Sequence, residues 1–363
     1  MPATPLWSRQ LGLTHPIVQA PMAGGATTPE LVSAVSASGA LGTLAAALLA
    51  PSAIARQIAD IRTRTDRPFG VNLFVLPSPF PAPEPALVEQ ALSWLAPHYA
   101  TFGLPLPDVH APGWRWCEDF QAQLEAVAEA APACVSFTFG IVDRATVARL
   151  QARGSLVLGT ATTVAEAQAW EAAGADAVTA QGSEAGAHRG TFLEPAERSL
   201  IGTLPLVRAC VQAVSIPVIA AGGIMDGAGI AAAQALGAQA AQMGTAFLVC
   251  DEARIPEPHR LALLAARDGT AATRITRAFS GREARGIVNT YMQAMQPLEA
   301  RLPPYPLLNA LTGPLRKAAA EAGNAQYLSL WAGQGVPLAR PMPAAQLIER
   351  LAVELQQTRE RLA

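Results

Sequence analysis

The stretch SLVLGTATTVAEAQAWEAAGADAVTAQ, residues 155–181, contains one complete unit of a pattern that runs through most of the chain. The apolar run SLVLGTA (155–161) reads as a buried strand, and TVAEAQAWEAA (163–173) reads as a helix that Thr163 can cap at its N-terminus. DAVTAQ (176–181) then reads as a second strand, parallel to the first because a helix separates them. The alternation extends outward on both sides. Earlier strands are predicted at PIVQA (16–20), ALGTLA (40–45), FGVNLF (69–74) and CVSFTF (134–139), with a helix at 28–38 that also opens on a threonine. Later strands are predicted at IPVIAAGG (216–223) and AQAAQMGT (238–245). Eight strands separated by helices predict an α/β fold of the (β/α)8 TIM-barrel type rather than an open sheet.

Two stretches break the rhythm. Residues 75–116 are crowded with proline (LPSPFPAPEPA, 76–86) and hold Trp94, Trp114 and Trp116. A connection of that length is unusual, and its aromatics point to an ordered cover over the barrel mouth. Residues 251–339 carry helical patterns and no defensible strand. The final stretch, 343–363, is amphipathic with Leu347, Leu351 and Leu355 on one face, as expected of an outer barrel helix. The expected organisation is therefore a barrel from 1–250 plus 340–363. A smaller, mainly helical, substrate-covering unit is expected from 251–339 together with the 75–116 insertion.

Composition narrows the function classes. The 363 residues carry a formal net charge of −2, and 15% are charged, which argues against a nucleic-acid footprint or an electrostatic hold on membranes. The longest apolar run, 40–50, is too short to span a bilayer, and the N-terminus lacks the apolar core of a signal peptide. Cys117, Cys134, Cys210 and Cys250 show no CxxC spacing, so neither disulfides nor a zinc site is expected, and a reducing cytoplasm fits. Monomer and homodimer both remain open.

In such a barrel, chemistry sits at the C-terminal ends of the strands, and phosphates favour the loops after the seventh and eighth. Gly222-Gly223 close the seventh predicted strand, with Asp226 as a cap for the next helix. In QMGTAF (242–247), Gly244 allows close backbone approach and Thr245 offers a hydroxyl. Together the two turns point to a phosphate-bearing ligand. GAGIAA (227–232) matches a dinucleotide fingerprint only on paper, because it falls inside the seventh helix rather than after a first strand. Asn72 and Gln181 close the third and sixth strands; their amides suit either a flavin pyrimidine ring or the capping of neighbouring strands. QGSEAGAHRG (181–190) places His188 just beyond the sixth strand, as a catalytic or a solvated residue. A Glu184–Arg189 ion pair would be the plain reason for such a loop. His15, His98, His110 and His259 have no comparable context, and none shares a metal-binding spacing with His188.

Taken together, the motifs resemble the class I nitronate monooxygenases over nearly the whole chain. PIVQAPMAGG (16–25) is similar to the family motif that lies under the flavin, here Ala20, Pro21 and Met22. GVNLF (70–74) is similar to the motif carrying Asn72. QGSEAGAHRG resembles the motif of the family's catalytic histidine, here His188, with Gly186 and Gln181 at the flavin and Ala187 where a glycine is common. AAGGI (220–224) and QMGTAFL (242–248) resemble its phosphate loops, giving Gly222, Gly223, Gln242, Met243, Gly244 and Thr245. FSGREARGIVN (279–289) and YPLLNALTGPLRKAAAEAGNAQYLSLWAGQG (305–335) resemble its C-terminal pattern. The resemblance implies non-covalent FMN, no metal, and oxidative denitrification of alkyl nitronates. Propionate 3-nitronate would react with O2 to give a carbonyl compound and nitrite, with Tyr305 and Lys317 as polar substrate-side groups. The barrel motifs are shared with FMN-dependent NAD(P)H:quinone and enoyl reductases, which stand as the alternative.

Overall fold

Eight short runs whose residues are almost all buried become one parallel sheet, as strands covered on both faces must. In chain order they are β1 (Ile17–Gln19), β2 (Gly42–Ala45), β3 (Phe69–Phe74), β4 (Cys134–Thr138), β5 (Leu156–Ala161) and β6 (Ala177–Gln181). A two-residue strand, β7 (Ala187–His188), stands apart, and β8 (Val218–Ala221) and β9 (Ala240–Met243) complete the eight. The order is β1-β9-β8-β6-β5-β4-β3-β2. A parallel bridge between Val18 and Leu41 joins the two ends, with Gln19 N–H donating to Leu41 O at 2.9 Å. All eight predicted barrel strands are present, and the sheet is a TIM barrel. The computed structural model describes residues 6–362. Residues 1–5, on which part of the expectation about a leader segment rests, lie outside it.

Helices cover the barrel because each has one apolar face and a defined start. Thr28, Thr163 and Asp226 each cap a helix through a side-chain oxygen, accepting from Leu31, Glu166 and Gly229 N–H. Trp170 of the Val164–Ala173 helix lies against β5 where Gly159 leaves room; a Cβ there would sit 2.1 Å from the indole. The C-terminal helix Ala344–Leu362 buries Leu347, Leu351 and Leu355 and packs on the Gly227–Ala235 and Pro29–Ala37 helices, so the chain's end supplies an outer barrel helix. In its partner, Gly227 has a Cβ position only 2.2 Å from Leu355 N. The glycines of GAGIAA thus serve a helix cap and a helix contact.

Residues 251–339 differ from expectation in one respect. They contain two strands, β10 (Thr273–Thr276) and β11 (Ala284–Ile287), which form an antiparallel sheet in the order β10-β11-β7. His188 faces Ala284 across it. Each strand has four residues or fewer, and β7 pairs with a partner almost a hundred residues away, so no local pattern announces them. A second apolar core gathers Phe279, Tyr291, Met292, Leu308 and Leu311 with Leu95 and Tyr99 of the insertion helix Pro85–Thr101. Tyr99 O–H donates to Leu311 O at 2.6 Å. The insertion is ordered, but it braces residues 251–339 from behind. None of residues 75–116 lines the cavity at the barrel mouth. No helix among the described residues is long and apolar enough to cross a membrane.

Candidate active site

A cavity of about 370 Å³ opens at the C-terminal ends of the strands, within the ordinary size range of ligand pockets. All fifteen residues singled out from the sequence line it. Its floor is strand ends and glycine turns; its opposite wall comes from the Leu307–Glu321 helix and residues 328–335.

At one end lie the turns after the adjacent strands β8 and β9. Gly222 and Gly223 have φ of 123° and 71°, values that favour glycine. The N–H groups of Gly223, Ile224, Gly244 and Thr245 make no hydrogen bond to the protein among the described residues. Four free donors at neighbouring strand ends form a place for an anion such as a phosphate. The Thr245 hydroxyl is already engaged, accepting from Gly333 N–H at 2.9 Å. Gly186 and Gly335 make room for the same 331–335 segment: a Cβ at Gly186 would lie 2.5 Å from Gly333 N, and one at Gly335 would lie 2.6 Å from Gly223 O.

The two strand-end amides divide. Gln181 holds its own loop, with Nε2 donating to His188 O at 3.0 Å and Oε1 accepting from Gly190 N–H at 2.8 Å. Asn72 donates from Nδ2 to Ser136 and Thr138, while its Oδ1 finds no donor among the described residues. Gln242 makes no side-chain hydrogen bond among the described residues and also lines the cavity. An unpartnered acceptor and an unpartnered amide beside four free N–H groups fit a phosphorylated ring with alternating donors and acceptors.

His188 occupies the other end, inside an aromatic cage of Phe74, Phe139, Tyr305 and Trp331, with ring centroids 5.4–6.2 Å from its own. His188 is half-buried: it lines the cavity and is otherwise enclosed by protein. Burial, together with the Arg282 and Arg316 charges, pulls its pKa down to about 3 and keeps the imidazole neutral near pH 7. Its Nε2 lies 2.8 Å from Ser280 Oγ. The Ser280 hydroxyl also lies 3.1 Å from Arg282 O; when it donates there, its oxygen accepts from Nε2–H and Nδ1 is left with a free lone pair.

The loop is not ordered by a Glu184–Arg189 pair. Arg189 is fully buried and donates to the carbonyls of Gly182, Gln181 and Ser199, whereas Glu184 accepts from Thr203 N–H and Oγ1–H. Carbonyls exposed by a sharp turn need donors, and one guanidinium supplies three.

The sequence profile described as nitronate monooxygenase matches residues 7–354. The chain belongs to the nitronate monooxygenase family. It is 43% identical to the nitronate monooxygenase of Paraburkholderia phytofirmans, covering 97% of this chain and 95% of that one. It is 42% identical to a probable nitronate monooxygenase of Staphylococcus saprophyticus, with 94% of each chain covered. The solved structure of nitroalkane oxidase from Streptomyces ansochromogenes superposes with a TM-score of 0.89 at 46% identity, over 98% of this chain and 100% of that one. Like these relatives, the protein is an oxidoreductase.

Within this family member, three residues in or beside the cavity that the sequence reading passed over bear on the site. His259 lines the wall, with Nε2 3.2 Å from Trp331 O and its pKa lowered to about 4 by burial; at Glu257–Ala265 it reads simply as a helix residue. Phe139, behind Phe74 rather than in the cavity lining, adopts φ of 77° and packs tilted against Phe74, ring centroids 4.1 Å apart. Arg316 is the third. The sequence points instead to its neighbour Lys317, a polar group near Tyr305, which lies at the rim, exposed and paired with Glu321 at 3.9 Å.

Proposed function

We propose that this protein is an FMN-dependent nitronate monooxygenase. It oxidises alkyl nitronates, propionate 3-nitronate above all, with O2 to a carbonyl compound and nitrite. The observation that carries the reading is the single cavity that joins four unpaired backbone N–H groups, Asn72 Oδ1 and the Gln242 amide to a neutral, caged His188. The phosphate belongs on Gly223, Ile224, Gly244 and Thr245, and the ring belongs beside Asn72, Gln242 and the Ala20-Pro21-Met22 turn. FMN, when bound, supplies the electron acceptor that a nitronate carbanion requires and passes the electrons on to O2.

The chain's own residues do the rest. Ser280 holds His188 with Nδ1 unprotonated, the form in which it can take the α-proton of a neutral nitroalkane. A preformed nitronate has already lost that proton, so there His188 serves to position the substrate. Phe74, Phe139, Tyr305 and Trp331 keep water from the reacting carbon. Residues 251–339, braced by the insertion, close the substrate side.

Protein purified without added cofactor is expected to be yellow and to release FMN on denaturation. Mixed anaerobically with propionate 3-nitronate, its flavin should bleach; with NAD(P)H it should not. Reduction by NAD(P)H without reaction with nitronate would instead make it a reductase of the same barrel type. Gly244→Asp should abolish FMN retention without unfolding the barrel. Gly244 has an ordinary φ of −103°, and its Cβ position meets only Ala20 Cβ at 3.6 Å, so the added negative charge is the main change.

A further inference from the structure

Ser280 meets His188, and Ser280 is held in turn by Arg282. The Ser280 hydroxyl has three polar neighbours: His188 Nε2 at 2.8 Å, Arg282 N at 3.3 Å and Arg282 O at 3.1 Å. Two of the three are the backbone of one residue. The Arg282 N–H can only donate, so it occupies one lone pair of the hydroxyl oxygen. The hydroxyl proton then goes either to Arg282 O or to the imidazole. In the first case Nε2 carries the ring proton and Nδ1 is bare; in the second the tautomer is reversed. The choice depends on how firmly the 280–282 turn presents its carbonyl to the hydroxyl.

The Arg282 side chain pins that turn to the loop that carries His188. Its Nε donates to Arg189 O at 3.2 Å and its Nη2 donates to Thr191 O. The fully buried Glu166 grips the same loop, accepting from the Thr191 hydroxyl and from the N–H groups of Phe192 and Leu193. Carbonyls of residues 189–191 are thus held from the 251–339 unit, and N–H groups of 192–193 from the barrel. The Arg282 guanidinium also stands over the Phe139 ring, 4.0 Å from its centroid, a contact of about 0.5–2 kcal/mol. Phe139 in turn lies edge-on to His188 at 5.4 Å, so one side chain touches both the turn's anchor and the cage. At the turn itself, Gly281 has φ of 81°, and a Cβ there would lie 2.1 Å from Pro303 O, so neighbouring backbone confines it. Arg282 does not line the cavity, so it acts on a substrate only through these neighbours. Burial lowers its pKa to about 10, which leaves it charged near pH 7.

We propose that Arg282 is the positioning residue for His188: its double hold on Arg189 O and Thr191 O, braced on Phe139, fixes the 280–282 turn so that Ser280 donates to Arg282 O and accepts from Nε2–H. This rests on the reading of His188 as the residue that meets the substrate, and adds what sets its tautomer. Nitrogen NMR of the holoprotein with isotope-labelled histidine reads the tautomer directly, with His188 identified by the signal lost in His188→Asn. The wild type should show a single Nε2–H form near neutral pH. A wild-type ring protonated at Nδ1 overturns the proposal, because the hydroxyl then donates to the ring. Arg282→Met keeps bulk over Phe139 and removes the charge and both donors. Its Nδ1–H population should rise about tenfold, the worth of one ordinary hydrogen bond. Arg282→Lys keeps a cation over Phe139 but can hold only one of the two carbonyls, so it should fall between the two.

FMN content should match the wild type in both variants. Arg282→Lys, the milder change, carries the test should Arg282→Met fail to fold. A wild-type tautomer in either folded variant overturns the proposal and leaves Arg282 as a structural staple, whose loss lowers stability alone. The tautomer is read without turnover, so its outcome is separate from that of the nitronate reading. Tautomers that shift in the expected order, in a protein where His188→Asn is harmless to nitroethane oxidation, would keep Arg282 as the positioning residue and remove His188 as the base. Unshifted tautomers with an essential His188 would do the reverse.

Discussion

Ala187 and Phe139 are two of the three non-glycine residues with positive φ among the described residues, and both flank His188. At 58°, Ala187 holds the conformation a glycine would adopt freely, at a cost of about 1–2 kcal/mol for an L-residue. That explains physically why glycine suits this position in QGSEAGAHRG. It also shows the loop to be held by its surroundings, Gln181 and Arg189 above all, rather than by local preference. His188→Asn keeps a polar side chain and removes the base. Activity on a neutral nitroalkane should fall by about 10²–10⁴-fold while oxidation of its preformed nitronate falls less, with FMN content unchanged. Steady-state rates on nitroethane and ethyl nitronate check this; small, equal losses would reduce His188 to a loop residue. The histidine was legible because it follows a strand end. Arg316 was not, because an arginine on an amphipathic helix reads as solvent-facing until the tertiary structure turns it toward a cavity.

The barrel elements were legible because each carries its own signal: an apolar run for a buried strand, a threonine or aspartate oxygen for a helix start. β7, β10 and β11 carry none, because AH, TRIT and ARGI hold no apolar run and are paired only with one another, outside the buried barrel sheet. The same contrast separates the two glycine-rich stretches. Gly222 and Gly223 are required by their dihedrals, whereas Gly227 is required by the close approach of the Ala344–Leu362 helix. Gly227→Ala should therefore act at a distance in sequence, by prising the C-terminal helix from the Gly227–Ala235 helix. A Cβ 2.2 Å from backbone nitrogen cannot be accommodated by a side-chain rotation, so a loss of about 1–3 kcal/mol is expected, as for overpacking. Urea unfolding would show it, and hydrogen exchange should locate the loosening in residues 344–362. Faster exchange confined to residues 222–229 would instead indicate a local cap defect.

At the scale of the whole molecule, residues 251–339 pack on the barrel beside two neutral imidazoles. His259 meets the Trp331 carbonyl and His188 the Trp331 ring, and burial lowers both pKa values, to about 4 and about 3. The unfolded chain, whose histidines titrate near ~6.5, binds more protons than the folded one as pH falls from there toward 4. Stability is thus fully present above pH ~6.5 and is lost as pH falls through the folded values. For His259, which is buried, the lowering from 6.5 to about 4 corresponds to about 3 kcal/mol, an order-of-magnitude figure. His259→Gln keeps a donor for Trp331 O and removes the titration. Urea midpoints measured from pH 4 to pH 8 should therefore fall less steeply toward acid in the variant, by close to one proton in slope. An unchanged slope would mean that water or a charged partner reaches His259 in the folded protein, and that the wall between barrel and cover is wetter than its packing implies.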